Sequence, residues 1–161
     1  MNSKVLPPSS LRPFSESDFE QILQIESKIH VAPWNQFQFE GETSKPYSHL
    51  WVLTDDETDS EIMGYVVFWD MKESFEILNL GVAPSHQRQG LALKIVRSVV
   101  NQALRAGAQR LILDVRKSNA PALLLYQKLG FSITQIRKGF YSNGEDGYFM
   151  TLPLEGMRAD F

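Results

Sequence analysis

The segment Gln87-Arg88-Gln89-Gly90-Leu91-Ala92 places a glycine and a small residue where an apolar strand gives way to a long helix. N–H groups at a helix start have no intrahelical acceptors and lie at the positive end of its dipole, so they suit a pyrophosphate. Gly90 and Ala92 leave room for a ligand to approach that backbone, and Arg88 adds a flexible cation. The pattern is neither a Walker loop, which needs Gly-Lys followed by Ser or Thr, nor a dinucleotide fingerprint. A plain strand-to-helix turn explains the same residues about as well.

Further along, Asp114 falls near the C-terminal end of a strand whose other face carries Leu111, Leu113 and Val115. Ligands of open α/β sheets gather beyond that end. An aspartate paired with Arg116 is the competing reading. Asn119 is an N-cap that could also hold a ligand's amide. Tyr126 shares a helical stripe with Ala122 and Leu129, where a tyrosine is more often core than catalyst. Glu26 puts a carboxylate on an apolar stripe, either to grip an ammonium or main chain, or as the buried partner of a basic group. Pro33-Trp34 reads as a packed corner, and Tyr141, Glu145 and Asp146 as a hairpin tip that faces an acceptor or is solvated. His30, His49 and His86 lack ligand spacing, so no metal is expected. No Gly-x-Ser-x-Gly elbow exists, which disfavours a serine hydrolase.

These residues need elements to hold them. Leu11–Pro13 reads as a short strand, Ser15 as an N-cap with Asp18 three residues on, and Phe19, Ile22, Leu23 and Glu26 as a helix ending near Ile29. Asn35 caps a second short helix towards Gly41. Leu50–Thr54, Ile62–Trp69 and Phe75–Ala83 are strands, the last with Leu78, Leu80 and Val82 on one face. Leu91, Ile95, Val99 and Ala103 mark a helix closed by Gly107. Strand Leu111–Val115, helix Ala120–Leu129 and strands Phe131–Ile136 and Tyr148–Leu154 follow, with an Asn143-Gly144 turn between the last two. The order predicts an α/β (α+β) chain, its central sheet mixed and mostly antiparallel, with helices on both faces.

The 161 residues suit one domain, 1–161, with 1–10 as a loose lead-in. A net charge of −3 disfavours a nucleic-acid partner, and the absence of cysteine excludes disulfides, thiolate metal sites and cysteine nucleophiles. The first ten residues lack the apolar centre of a signal peptide, and the longest apolar stretch is too short for a membrane span. A cytoplasmic setting without membrane contact is expected.

Two signatures then coincide. Gln87 to Ala92 resembles the acetyl-CoA signature Q/R-x-x-G-x-G/A of the GNAT superfamily of N-acetyltransferases. Asn119, Ala122, Leu125, Tyr126, Gly130 and Phe131 match its second signature, N-x-x-A-x-x-L-Y-x-x-x-G-F. A narrower likeness, carried by Glu26 to Trp34 and by Arg137 to Met150, is to the RimI-type branch that acetylates a ribosomal-protein alanine. The resemblance implies a GNAT fold and acetyl-CoA as co-substrate, with no metal. It also implies a protein N-terminus as acceptor, a ribosomal protein among the candidates. Leu80, Gly81 and Val82 would offer main-chain groups to the pantetheine arm. Arg88, Gln89, Gly90, Leu91, Ala92 and Leu93 would cradle the pyrophosphate, and Asn119 would contact the cofactor. Tyr126 would protonate the departing thiolate. Glu26, Trp34 and Tyr141 would lie on the acceptor side. The family's base is a glutamate, and this chain has Asp114 there, one methylene shorter.

An α-amine, with a reference pKa of about 7.7–8.0, is roughly a tenth neutral at pH 7, whereas a lysine is neutral less than about once in a thousand. A modest base therefore suffices for an N-terminus. The competing classes are a small-amine acetyltransferase, for a polyamine or an antibiotic, and a non-catalytic acyl-CoA-binding module.

Overall fold

The computed structural model describes residues 9–55 and 58–159. The Met1–Pro8 part of the expected lead-in, and Asp56 and Glu57 between the strands expected at Leu50–Thr54 and Ile62–Trp69, lie outside them. The elements are β1 (Ser9–Pro13), α1 (Phe19–Ile29), α2 (Gln36–Thr43), β2 (Ser48–Asp55), β3 (Ile62–Asp70), β4 (Ser74–Val82), α3 (Leu91–Arg105), β5 (Arg110–Arg116), α4 (Ala120–Lys128), β6 (Ser132–Arg137) and β7 (Gly147–Pro153). Short 3-10 turns at Glu16–Asp18 and Pro84–His86 precede α1 and α3. The seven strands form one sheet in the order β1-β2-β3-β4-β5-β7-β6. β4 and β5 run parallel, whereas β1–β2, β5–β7 and β6–β7 are antiparallel. The sheet is mixed and flanked by helices, as the alternation of periods along the chain predicts.

By contacts the chain gathers into two compact units, residues up to Val67 with Asn79–Val96, and Phe68–Leu78 with residues from Arg97 on. In the first, α1 turns Phe19, Ile22, Ile25 and Glu26 inward. Every residue of β3 from Ile62 to Val67 is buried, so that part of the strand is covered on both faces. In the second, β5 alternates, with Leu111, Leu113 and Val115 buried and Ile112, Asp114 and Arg116 half-buried. Phe68 and Phe75 stack there with centroids 5.9 Å apart. Each such fully buried ring contributes about 1.5–3 kcal/mol. Strand β6, at the sheet's edge, is exposed along nearly its whole length.

Caps explain the helix boundaries. Asn35 Oδ1 accepts from the Gln38 N–H at 2.9 Å and Gln38 Oε1 accepts from the Asn35 N–H at 3.0 Å, a reciprocal box. Asn119 Oδ1 accepts from the Ala122 N–H at 3.3 Å. Gly107 and Gly130, with φ of 76° and 102°, take the left-handed conformation that ends α3 and α4. Strand β4 alternates as expected, with Leu78, Leu80 and Val82 on one face; the other face, Phe75, Ile77, Asn79 and Gly81, is buried, and Leu78 and Leu80 are half-buried. A buried asparagine and a glycine disguise that face, because the space above them is filled by Tyr65 and Glu26. No helix among the described residues is long and apolar enough to cross a membrane.

Candidate active site

In the first unit, the chain from β4 to α3 passes through Arg88 and Gly90, with φ of 62° and 76°. Arg88 is a non-glycine residue in the left-handed region, a conformation that needs support from its surroundings. Left-handed residues in a turn are how successive N–H groups come to face a concave anion site. The first α-helical bond here is Lys94 N–H to Gly90 O at 3.1 Å. The N–H groups of Leu91, Ala92 and Leu93 thus find no acceptor within the helix. A Cβ on Gly90 would meet nothing within 4 Å, so the space beside this turn is open. The donor set suits a diphosphate.

Strand β4 leads into that turn. Its parallel ladder with β5 runs from Ser74↔Arg110 to Ile77↔Leu113, while β4 itself continues to Val82. Ala83 N–H donates to Met63 O at 2.8 Å, so by alternation Leu80 and Val82 turn their peptide groups to the opposite edge of β4. Their carbonyls are met there by side chains. Leu80 O accepts from His30 Nε2 at 3.1 Å, and Val82 O from Gln87 Nε2 at 3.1 Å.

Glu26 is 1% exposed. Its carboxylate accepts from the Tyr65 hydroxyl, from Asn79 Nδ2 at 2.9 and 3.1 Å, and from the Trp34 N–H at 3.2 Å. His30 Nε2 lies 3.5 Å from the same carboxylate. Glu26 is therefore an internal partner, held by three neutral donors with the His30 ring beside them. The cluster pins the chain after α1, where the Trp34 ring meets Phe39 edge-on at 5.2 Å. Burial, and then the Glu26 charge, push the Tyr65 hydroxyl well above the ordinary tyrosine range, so it stays a donor. Gly81 is required here. A Cβ would lie 2.5 Å from Tyr65 Cζ and hydroxyl.

In the second unit, Asp114 faces Phe149 of β7 and is met by Arg137 of β6, whose Nε lies 2.7 Å from Oδ1. The two atoms attract as charges, but neither has a partner aligned for a hydrogen bond. Burial raises the Asp114 carboxyl above its usual range against the opposing pull of Arg137. Its partner is thus Arg137, not Arg116. Arg116 instead stacks over Tyr141, 4.0 Å from the ring centroid, and lies 3.8 Å from Glu145. Burial, followed by the Asp114 charge, pushes the Tyr141 hydroxyl up to about 12. Tyr126 is buried against Phe131 with centroids 5.5 Å apart. Burial also raises its hydroxyl far above the ordinary range, so it is a phenol, never a phenolate, at neutral pH.

Tyr65, Asn79 and His30 around Glu26, and Arg137 beside Asp114, escaped the sequence reading. Asn79 had a signal, as a polar residue in phase with Phe75 and Ile77. Arg137 had none, because its partner is set by β6–β7 pairing.

Comparison with known proteins places this arrangement. Residues 14–131 match the acetyltransferase (GNAT) family. A putative ribosomal protein bS18-alanine N-acetyltransferase of Bacillus subtilis is 33% identical over 91% of this chain and 96% of its own. The ribosomal protein bS18-alanine N-acetyltransferase of Salmonella typhimurium is 32% identical over 87% of this chain and 94% of its own. The crystal structure of the ribosomal-protein-S18-alanine N-acetyltransferase from Escherichia coli superposes with a TM-score of 0.83 at 25% identity, covering 96% of this chain and 99% of that one. A Vibrio cholerae spermidine N-acetyltransferase shares the fold, with a TM-score of 0.75 at 19% identity over 90% of this chain and 95% of that one. With the family matched over residues 14–131 and two relatives at 33% and 32% identity along most of their own length, the chain belongs to the GNAT family of acetyltransferases.

Proposed function

We propose that this protein moves the acetyl group of acetyl-CoA onto the α-amine of a protein N-terminus, an alanine of a ribosomal protein being the acceptor. The carrying observation is that the Bacillus and Salmonella relatives named for that reaction, the first as putative, align along 96% and 94% of their own length. When bound, acetyl-CoA supplies the thioester carbonyl that the amine attacks directly.

The chain's own groups take the remaining work. The N–H groups of Arg88 to Leu93 hold the diphosphate, with the Arg88 side chain beside them. Leu80 and Val82 offer main-chain N–H groups to the pantetheine arm, with Gly81 between them turned toward β3, and the Val82 N–H faces the carbonyl oxygen as it gains charge. Asn119 already uses Oδ1 as a helix cap, so its amide NH2 is the part offered to the cofactor. Tyr126 gives its hydroxyl proton to the leaving sulfur. Asp114 belongs to the site that receives the amine's proton. Trp34 and Tyr141 line the acceptor side, and Glu26 serves it by fixing Trp34.

Release of free thiol from acetyl-CoA tests this. Peptides beginning with alanine should be turned over, and the same peptides with a blocked N-terminus should not. Acetylation confined to a lysine side chain, or to spermidine, would replace the proposal with the corresponding acceptor class.

A further inference from the structure

Past Ile77 no residue of β4 is paired with β5, yet the strand continues to Val82 beside β3, so this stretch is bonded along one edge only. A strand held on one side can hinge about that side. Gly81, with no Cβ, has the freest backbone of the stretch. Two side chains stand where β5 would have been. His30 Nε2 donates to Leu80 O and Gln87 Nε2 to Val82 O, each at 3.1 Å. They come from separate parts of the chain, His30 from the end of α1 and Gln87 from the turn that leads into α3. Between the two bonds lies the peptide group that joins Gly81 to Val82. Its N–H points to the same free edge, because Ala83 N–H is turned the other way, to Met63 O.

We propose that His30 and Gln87 are positioning residues that take the place of the missing strand. By capping the carbonyls on either side, they hold the Val82 N–H in the direction from which it meets the thioester oxygen. This role rests on the acetyl transfer proposed above. A donor serves a developing oxyanion best when it needs no reorganisation as the charge appears. A hinged strand beside a glycine would supply such a donor only part of the time.

Each cap is itself held. His30 Nε2 lies between two acceptors, Leu80 O and the Glu26 carboxylate 3.5 Å away, so this nitrogen carries the hydrogen. Glu26 is fixed in turn by Tyr65, Asn79 and the Trp34 N–H. The Tyr65 ring fills the space over Gly81. One cluster thus closes a face of the peptide and sends His30 to its edge. Gln87 directly precedes Arg88, whose left-handed φ of 62° opens the phosphate turn, so its bond to Val82 O ties that turn to the strand. With both carbonyls met, the N–H groups of Leu80 and Val82 are the open positions of this edge. That suits a ligand presenting carbonyl oxygens, as a thioester does, over a polypeptide strand, whose ladder needs donors and acceptors alike.

The test reads kcat and KM apart for an alanine peptide, together with NMR relaxation of the backbone amides in the ligand-free protein. His30→Phe keeps a ring and loses the donor, and Gln87→Met keeps the length and loses the donor. Each should lower kcat on the order of tenfold, less than the roughly 10²–10³ that deleting an oxyanion donor costs, with KM for acetyl-CoA within about twofold. His30→Gln, which returns an N–H donor near the place of Nε2, should recover most of kcat. The order parameter of the Val82 N–H should be near about 0.85 in the parent and fall towards about 0.6 in both donorless variants. The Ala83 N–H, bonded to Met63 O on the other edge, should keep its value. Should His30→Phe not fold, Gln87→Met decides. A kcat equal to the parent's, a rise in KM alone, or a Val82 order parameter indifferent to both substitutions overturns the inference. If the parent acetylates no α-amine peptide, the proposed function fails, and the order parameters alone then decide whether the two caps hold the strand.

Discussion

At the scale of single residues, the structure separates groups that must move a proton from groups that must not. Tyr126 is enclosed against Phe131, and its burial keeps the hydroxyl protonated throughout the neutral range. Tyr126→Phe removes one oxygen and leaves the ring packing intact, so its stability cost stays near about 1 kcal/mol. If the phenol protonates the leaving sulfur, turnover should fall at least tenfold while calorimetric binding of acetyl-CoA is unchanged. Equal turnover in the two proteins would take Tyr126 out of the mechanism. Gly81 tests the neighbouring cluster. A methyl group there meets Tyr65 at 2.5 Å and Ile29 Cδ1 at 2.8 Å, and the rigid phenol must leave Glu26 to admit it. Gly81→Ala should therefore destabilise the fold by about 1–3 kcal/mol, the usual cost of overpacking, and alter Trp34 fluorescence as its N–H loses a fixed acceptor. A melting curve and emission spectrum identical to the parent's would show that Tyr65 is not held as the geometry says.

At the scale of elements, Arg12 joins three of them. Its guanidinium donates to both Asp18 oxygens at 2.8 and 3.0 Å, at the entrance to α1, and to Asp59 Oδ1 at 2.8 Å, beyond β2. Burial works to raise the Asp18 carboxyl, but the Arg12 bonds and the Ser15 N–H outweigh it and hold the group below its usual range. A carboxyl whose folded value is depressed stabilises the protein above its unfolded value, about 3.9, and loses that contribution as pH falls through the folded value. Asp18→Asn should cost about 1 kcal/mol at pH 7, after allowing for solvent around the part-exposed Arg12, and progressively less below about pH 4. Denaturant titrations at pH 7 and pH 3 check this, and a difference independent of pH would refute it. The same region shows what a sequence discloses. Ser15 and Asp18, three apart before an apolar stripe, announce the start of α1, and Asn35 announces α2. Neither pattern reveals that Arg12 reaches Asp18, because the reach depends on β1 pairing with β2 from Ser9↔Asp55 to Pro13↔Trp51. Period alone also does not say which face of β4 is the inner one, since Asn79 and Gly81 look like surface residues until Glu26 and Tyr65 are set over them.

At the scale of the whole molecule, strand and helix order along the chain follows from the change of period, and the turn into α3 from the glycine that opens it. Order across the sheet does not. β7 lies between β5 and β6, and that choice brings Arg137 to Asp114. The net charge of −3 also repels a polyanion at long range. Under the proposed function, binding of coenzyme A must then come from local donors, and the turn from Arg88 to Leu93 offers unpaired N–H groups for it. That helix runs through both compact units, its residues to Val96 in one and from Arg97 in the other. A ligand that binds the folded chain alone adds about 2.7 kcal/mol to its stability at a hundredfold excess over Kd, so coenzyme A should raise the melting temperature measurably. Gly90, at φ 76°, tells a local site from a diffuse one. Gly90→Ala places a side chain in open space but in a left-handed backbone, which should cost about 1 kcal/mol without ligand. It also disturbs the amides meant for the diphosphate, so the rise with coenzyme A should shrink by more than the ligand-free loss. A rise of equal size in both proteins would mean that the diphosphate is held elsewhere, and the absence of any rise in the parent would leave the turn at Gly90 as a helix start and nothing more.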